Sequence, residues 1–441
     1  VADLRITEIA VGPNYISCAC TLGERRFHAA IHYENVDLST LDRELAERLA
    51  FHVALFELTA ACSYRPDAID VGPWARFLTP ELRALWRTVV RHVWAQWRYE
   101  HDDPEYLPDF ITPALATAPE PARVSPGPVE LLALCGGGKD SLVALKLLER
   151  AQLSFSTLGY SHSIYGDAAH QHALIDRVRR ARRAPSVSAV TAASTHAHHE
   201  RQTIDDNFGD VHRAETPASV FAALPLAAVR GYRGLAVGHE ASANAPNLVW
   251  RGEPVNHQWG KSWEAELLLD AYIQRLLPVR YFSVLAPVHD EVIFELLARD
   301  AALAPLTHSC NVKKPWCGAC PKCAYVWLQF AAHLPREVVE ATFPGNFGET
   351  NDFGALLGLA AHTPFECVGS VPEARLALEL AHRRGMLGPR LAAIAATLPP
   401  AQVPPALVEL GTVHGMPAHV AAGVMPQLAD ACRAAAARLR R

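Results

Sequence analysis

The sequence has no basic excess: 41 Lys and Arg stand against 46 Asp and Glu, a formal net charge of −5. A polyanion-binding surface draws on surplus positive charge, so no nucleic-acid partner is expected. No apolar run approaches the length of about 18 residues that marks a spanning helix. The nearest stretch, Phe51–Cys62, is interrupted by His52 and Glu57, and no membrane partner is expected. The first residues, VADLRITEIA, lack the basic-then-apolar layout of a secretory leader. Internal repeats and low-complexity tracts are also missing. What remains is half hydrophobic and one-fifth charged, a globular composition rather than a disordered one. A soluble, cytoplasmic chain is expected, with two to four domains over its 441 residues.

The first third reads as a small α+β unit, residues 1–103. Arg5–Val11, Tyr15–Thr21 and Arg26–Tyr33 are strand-like and separated by turn residues; helical stretches follow over Ser39–Cys62 and Pro80–Glu100. Trp86, Val90, Trp94 and Trp97 recur at helical spacing, which predicts a core face. Seven prolines between Asp103 and Glu130 predict an extended linker over 104–128. From Val129 strands and helices alternate, with strands over Val129–Cys135, Phe155–Tyr160, Val187–Thr191, Gly234–Gly238 and Val279–Leu285. That alternation predicts an α/β domain with a parallel sheet over 129–305. A cysteine-rich segment, 306–345, precedes an Ala- and Leu-rich helical region, 346–441. Thr195–His199 reads as a solvated loop, with a metal site as the other reading, and Arg177, Arg179, Arg180, Arg182 and Arg183 read as a solvated helix face, with a diphosphate or RNA contact as the other reading.

Ten cysteines are present, and four crowd together: Cys310, Cys317, Cys320 and Cys323, as C-x6-C-x2-C-x2-C. A disulfide scaffold would be a far shorter chain, so the cluster points to metal in a reducing compartment. Four thiolates complete a tetrahedral shell, so Zn²⁺ there would be structural; an iron–sulfur cluster and free thiols are the alternatives.

The most informative stretch is LLALCGGGKDSLVALKLLER, 131–150. A strand enters Gly136, Gly137 and Gly138, and a helix leaves from about Ser141. Glycines let the backbone approach a ligand, and a helix start offers unpaired N–H groups and a positive dipole end to phosphate. Lys139 adds a cation, Ser141 a hydroxyl, and Asp140 a carboxylate for Mg²⁺ or for capping. The spacing is neither that of a Walker loop nor that of a GxGxxG fingerprint.

The loop resembles the SGGxDS loop of the PP-loop ATP pyrophosphatases, with Gly136 in place of the leading serine. That resemblance implies an adenine nucleotide hydrolase-like sheet and a reaction in which a substrate oxygen attacks the α-phosphorus of ATP. Within the superfamily the cysteine cluster resembles the knuckle of the 7-cyano-7-deazaguanine synthases. Such an enzyme, or a tRNA-thiolating one, is the alternative reading. The whole layout is most similar to the ATP-dependent UDP-N-acetylmuramoyl-L-alanyl-L-glutamate epimerases. The residues behind it are GGGKDS, Gly238–Asn244 (GHEASAN), Asn256–Ser262 (NHQWGKS), WCGACPKC and Thr350–Phe353 (TNDF).

This resemblance implies a UDP-linked muramoyl dipeptide as substrate and ATP with Mg²⁺ at Gly136–Ser141 and Gly238. Adenylating the α-carboxylate removes its charge and acidifies the Cα–H, so that acid–base groups can exchange the proton. The candidates for that exchange are His239, His257, Lys261 and Glu264. Candidate substrate contacts are Glu240, Asn244, Asn247, Arg251, Asn256 and Trp259.

Overall fold

The computed structural model describes residues 2–113, 119–161, 168–181, 186–191, 212–345 and 347–440. Thr195–His199 lies outside the described residues, as do Arg182 and Arg183.

Twelve strands appear among the described residues. In chain order they are β1 (Leu4–Val11), β2 (Tyr15–Leu22), β3 (Arg25–Tyr33), β4 (Ala68–Asp70), β5 (Asp109–Phe110) and β6 (Leu131–Cys135). There follow β7 (Phe155–Ser161), β8 (Ser186–Thr191), β9 (Gly234–Val237), β10 (Leu248–Trp250), β11 (Glu253–Val255) and β12 (Arg280–Ser283). Ten of them form one sheet in the order β12-β9-β6-β7-β8-β3-β2-β1-β4-β5.

The segment β12-β9-β6-β7-β8 is parallel throughout. Side chains alternate across it, as a pleated strand requires. Leu132, Leu158, Leu235 and Tyr281 join one apolar core; Leu131, Ala133, Ala236 and Phe282 join the other. Helices Arg43–Glu57, Glu215–Arg230 and Trp263–Leu276 cover the first face, and helices Lys139–Arg150, Asp290–Ala298, Pro321–His333 and Ala418–Leu439 cover the second. The architecture is therefore α/β, with both faces of a parallel sheet buried. The chain winds outward from β6 through β7 to β8, then returns to lay β9 on the other side of β6. Such a reversal opens a crevice at the carboxyl ends of the two strands.

The N-terminal residues 1–103 are joined to this sheet edge to edge. β3 pairs antiparallel with β8 through Ile31–Thr191, His32–Val190 and Tyr33–Ala189. Phe56 stacks on Phe221 with ring centroids 4.3 Å apart. The proline-rich stretch is likewise pinned: Phe110 pairs with Ile69, and the Gly127 N–H donates to the Gly231 carbonyl at 2.9 Å. Composition reveals a break in secondary structure there, but not a tertiary edge pairing.

Two expected helices are interrupted. Ser39–Cys62 resolves into an α-helix at Arg43–Glu57, N-capped by Asp42, between 3₁₀ turns at Leu38–Thr40 and Leu58–Tyr64. Pro80–Glu100 breaks at Trp94. The tryptophan stripe is core as expected, with Trp86, Trp94 and Trp97 no more than 3% exposed. The C-terminal region is largely helical, and no described helix is long and apolar enough to cross a membrane.

Candidate functional site

The crevice is built first from the turn after β6. Gly137 has φ +83, and a Cβ there would lie 2.2 Å from Nε2 of His308. The Gly137 carbonyl accepts the His308 N–H at 2.9 Å, and the Gly136 N–H donates to the Ser141 hydroxyl at 3.1 Å. The helix then begins at Lys139 with Gly138 as its N-cap, and no side chain caps it. Its first N–H groups therefore face the crevice with the positive end of a twelve-residue helix behind them. His308 is 1% exposed, and neither of its ring nitrogens has a hydrogen-bond partner among the described residues. Burial, with nearby Lys314 second, holds its pKa down at about 3, so the ring is neutral.

Lys139 turns inward rather than toward solvent. Its ammonium pairs with Asp140 and, at 2.5 Å, with Asp290. Burial alone would lower its pKa, but the two carboxylates override it and keep the group charged. Asp290 also accepts the Tyr325 hydroxyl at 2.9 Å, and its backbone N–H donates to Glu373 at 3.0 Å. Glu373 closes a capping box with Ser370 at the start of the helix Val371–Arg383 and accepts the Ser242 hydroxyl at 2.5 Å. It ties the C-terminal helices to the loop after β9.

That loop forms the opposite wall. A Cβ on Gly238 would lie 2.7 Å from the Asp140 carbonyl, so glycine lets the two loops touch. Glu240 is buried with Oε2 unpaired among the described residues, and burial followed by Asp140 raises its pKa to about 7. His239 is held neutral by burial and by the Lys261 charge, with a pKa near 3.

The third wall is residues 363–368. Asn247 donates to Thr363 Oγ1 at 3.1 Å and to the Pro364 carbonyl at 2.7 Å; Gln258 donates to the Val368 carbonyl at 2.8 Å. Lys322 donates to the Cys367 carbonyl. This segment presents the Cys367 thiol, partly exposed, to His257 and Lys261. Burial disfavours the thiolate, but Lys261, His257 and Lys322 together bring the Cys367 pKa well below its ordinary value. In return His257 is shifted up: burial opposes its charge, and Cys367 more than compensates. Lys261 is also raised against burial, by Cys367 first and then by Glu240 and Asp140. It thus links the cysteine to the glycine loop.

The expected residues divide accordingly. Gly136–Ser141, Gly238, His239, Glu240, His257 and Lys261 converge on the crevice. Glu264 does not join them; its side chain is mostly exposed and accepts the Trp259 indole N–H at 2.8 Å. Trp259 is buried against His92. Arg251 sits at the β10–β11 turn and pairs with exposed Asp102 at 2.8 Å. Asn244 accepts the Trp263 N–H, Asn247 accepts the His257 N–H, and Asn256 is buried on the Ala243 carbonyl. In the TNDF segment, Asn351 donates to the Phe347 carbonyl and Asp352 accepts the Gly354 N–H. Asp290, His308, Lys322, Tyr325 and Cys367 were not singled out by the sequence reading. Each is remote in sequence from the residue it meets, and no short motif carries that pairing.

Beside the crevice, one sulfur from each of Cys310, Cys317, Cys320 and Cys323 lies within 4.8 Å of the others. The amides of Val312, Lys313, Ala319, Cys320 and Cys323 point at these sulfurs at 3.3–3.4 Å. Such amides stabilise negative sulfur, and the donor set fits a tetrahedral metal shell.

Comparison with known proteins adds two matches. Residues 15–284 match the MurL N-terminal domain, and residues 306–398 match the MurL C-terminal domain. Three similar proteins are each called UDP-N-acetyl-alpha-D-muramoyl-L-alanyl-L-glutamate epimerase. The one from Salinispora tropica is 32% identical over 270 residues, 56% of this chain and 55% of that protein. The one from a Micromonospora species is 33% identical over 304 residues, 65% and 64% of the two chains. The one from Xanthomonas oryzae pv. oryzae is 27% identical over 343 residues, 74% and 73%. The chain thus spans between half and two-thirds of the length of the first two relatives. It belongs to the MurL family.

Proposed function

We propose that this MurL-family chain inverts the Cα of the terminal L-glutamate in UDP-N-acetylmuramoyl-L-alanyl-L-glutamate, and that ATP activates the α-carboxylate for it. The observation that carries the reading is the meeting of a glycine-rich helix start, buried Lys139 and Glu240 at one switch point. The names of the relatives favour the substrate and, with it, a place in peptidoglycan precursor synthesis.

A carboxylate oxygen of the glutamate attacks the α-phosphorus of ATP, and the bond to pyrophosphate breaks. The loop N–H groups and the helix start bind the departing pyrophosphate. Neutral His308 backs the loop and offers it a hydrogen-bonding ring. Lys139 is shared between two carboxylates, so it holds the loop in shape more than it neutralises phosphate. A Mg²⁺ held by Asp140 and Glu240 would supply that neutralisation. The acyl-adenylate has lost the carboxylate charge, so removal of the Cα proton no longer builds a dianion. Lys261 stabilises the developing enolate oxygen with its positive charge. Water then cleaves the acyl-adenylate to the D-glutamyl product and AMP. Cys310, Cys317, Cys320 and Cys323 would hold Zn²⁺ as a closed structural shell.

The test uses purified protein, ATP, Mg²⁺ and the L-glutamyl substrate in D₂O. One deuterium at the glutamate Cα, dependent on ATP and accompanied by AMP, is the expected result by mass spectrometry. Protein that binds ATP but incorporates no deuterium would overturn the reading.

A further inference from the structure

Taking a proton from Cα needs a base that reaches the carbon beside the activated carboxyl, and the expected candidates serve this poorly. His239 is held neutral with its Nδ1 near the Tyr281 hydroxyl, and Glu264 sits outside the crevice. Lys261 is held protonated by the anions around it. What the crevice does contain is an ordered chain of polar groups ending in a sulfur. Glu100 accepts the Gln96 amide N–H at 2.7 Å, which orients the Gln96 oxygen toward His257. That oxygen lies 2.7 Å from His257 Nδ1. Gln96 is 9% exposed, so the orientation is held by packing as well as by Glu100. With Nδ1 carrying the proton toward Gln96, Nε2 is left to exchange a proton with a neighbour. His257 is beside the Cys367 thiol, and Lys261 joins that thiol to Asp140 and Glu240.

We propose that Cys367, in a Cys367–His257–Gln96 array beside the glycine loop, is the catalytic base that takes the Cα proton on one face of the activated glutamyl carbon. This rests on the epimerase reading above. The Cα–H bond breaks, an S–H bond forms, and the electron pair moves into the activated carboxyl. A proton from water is delivered to the opposite face. The thiol then returns its proton through His257 Nε2 to solvent, and no oxidant or reductant is required. His257 and Gln96 are positioning residues that keep the sulfur ionised. A thiolate suits the step because it is both a base and weakly hydrated. Cys367, Glu366 and His257 are each partly exposed residues on this wall of the crevice. The charged groups that face it are Lys261, His257, Lys322, Lys314, Glu215 and Glu366.

The experiment compares wild type, C367A and C367S on the L- and D-glutamyl substrates in D₂O with ATP and Mg²⁺. C367A is expected to lose Cα deuteration at least ~100-fold, the scale of a general base, while AMP formation falls far less. A parallel measurement needs no turnover: iodoacetamide labelling of Cys367 in wild type, followed by peptide mass spectrometry across pH. Labelling should rise at a pH well below the ~8.5 of a free thiol, and the profile should move up in H257Q and Q96A. If wild type deuterates and C367A does so at the same rate, the assignment falls and the epimerase reading stands. An acyl group trapped on Cys367 would make the sulfur a nucleophile and overturn its role as base. If wild type itself fails to deuterate, the epimerase reading falls, and the inference falls with it.

Discussion

Glu240 shows how one buried carboxylate couples the site to stability. Its raised pKa, near 7, comes from burial first and from Asp140 second. The folded state therefore binds this proton more tightly than the unfolded chain does. The associated stability is complete at pH values below the ordinary carboxylate value and is lost as pH rises from there through about 7. The amount is on the order of 3 kcal/mol. E240Q removes the titration, so its melting temperature should change less between pH 5 and pH 7.5 than that of wild type. Parallel melting curves for the two proteins across that range would contradict the account. The carboxylate itself was legible in GHEASAN, but its shift was not. That shift depends on Asp140, which lies 100 positions away and is brought close only by the β6–β9 reversal. Cys367 was hidden for the same reason. Nothing near it in sequence marks it, and its partners His257 and Lys261 lie in another segment.

Between residues and the whole, the turn after β6 and the loop after β9 form two walls of the crevice, and their glycines are not equivalent. Gly137 sits at φ +83 with His308 where a Cβ would go, so both backbone conformation and space require glycine. At Gly238 a Cβ would press on the Asp140 carbonyl at 2.7 Å. Gly136 has ordinary φ and nothing within 4 Å of an added Cβ. G136S should therefore stay within ~0.5 kcal/mol of wild type, as an unstrained surface change does. G137A should lose more than ~2 kcal/mol from strain and contact together, and G238A should also be destabilised. Urea unfolding of the three variants checks the order; equal losses at 136 and 137 would contradict it. The loop was readable because strand, glycines and helix start are contiguous. The partner that makes Gly137 indispensable, His308, lies beyond β12 and a helix. The expected helices failed at Trp94 and Leu58 for a related reason. Apolar periodicity continues through both points, while the backbone turns to fit tertiary neighbours.

At the scale of the molecule, the proline-rich stretch predicts a linker, and the sheet runs on across the two segments it joins through the β3–β8 pairing. β3 supplies the hydrogen bonds that would otherwise leave β8 as a bare edge, and the helix Arg43–Glu57 lies against the same face of the parallel strands. Glu57 sits at that junction, 1% exposed, paired with Arg213 at 2.9 Å and accepting the Tyr160 hydroxyl at 2.5 Å. Truncating one member of a buried, hydrogen-bonded ion pair costs about 3–5 kcal/mol. E57A should therefore lower stability by that amount. It should do so for the crevice as well as for the N-terminal strands. Urea titrations followed by circular dichroism and by bound-nucleotide fluorescence should give coincident midpoints in wild type, and both should shift together in E57A. A fragment beginning at residue 129 would expose the β8 edge and the Phe221 face, and should aggregate rather than bind ATP. Separate transitions in wild type, or a soluble ATP-binding fragment, would mean that residues 1–103 fold apart from the crevice. Coincident transitions would make the N-terminal strands part of what holds the crevice closed, which agrees with a family match that runs unbroken from residue 15 to residue 284.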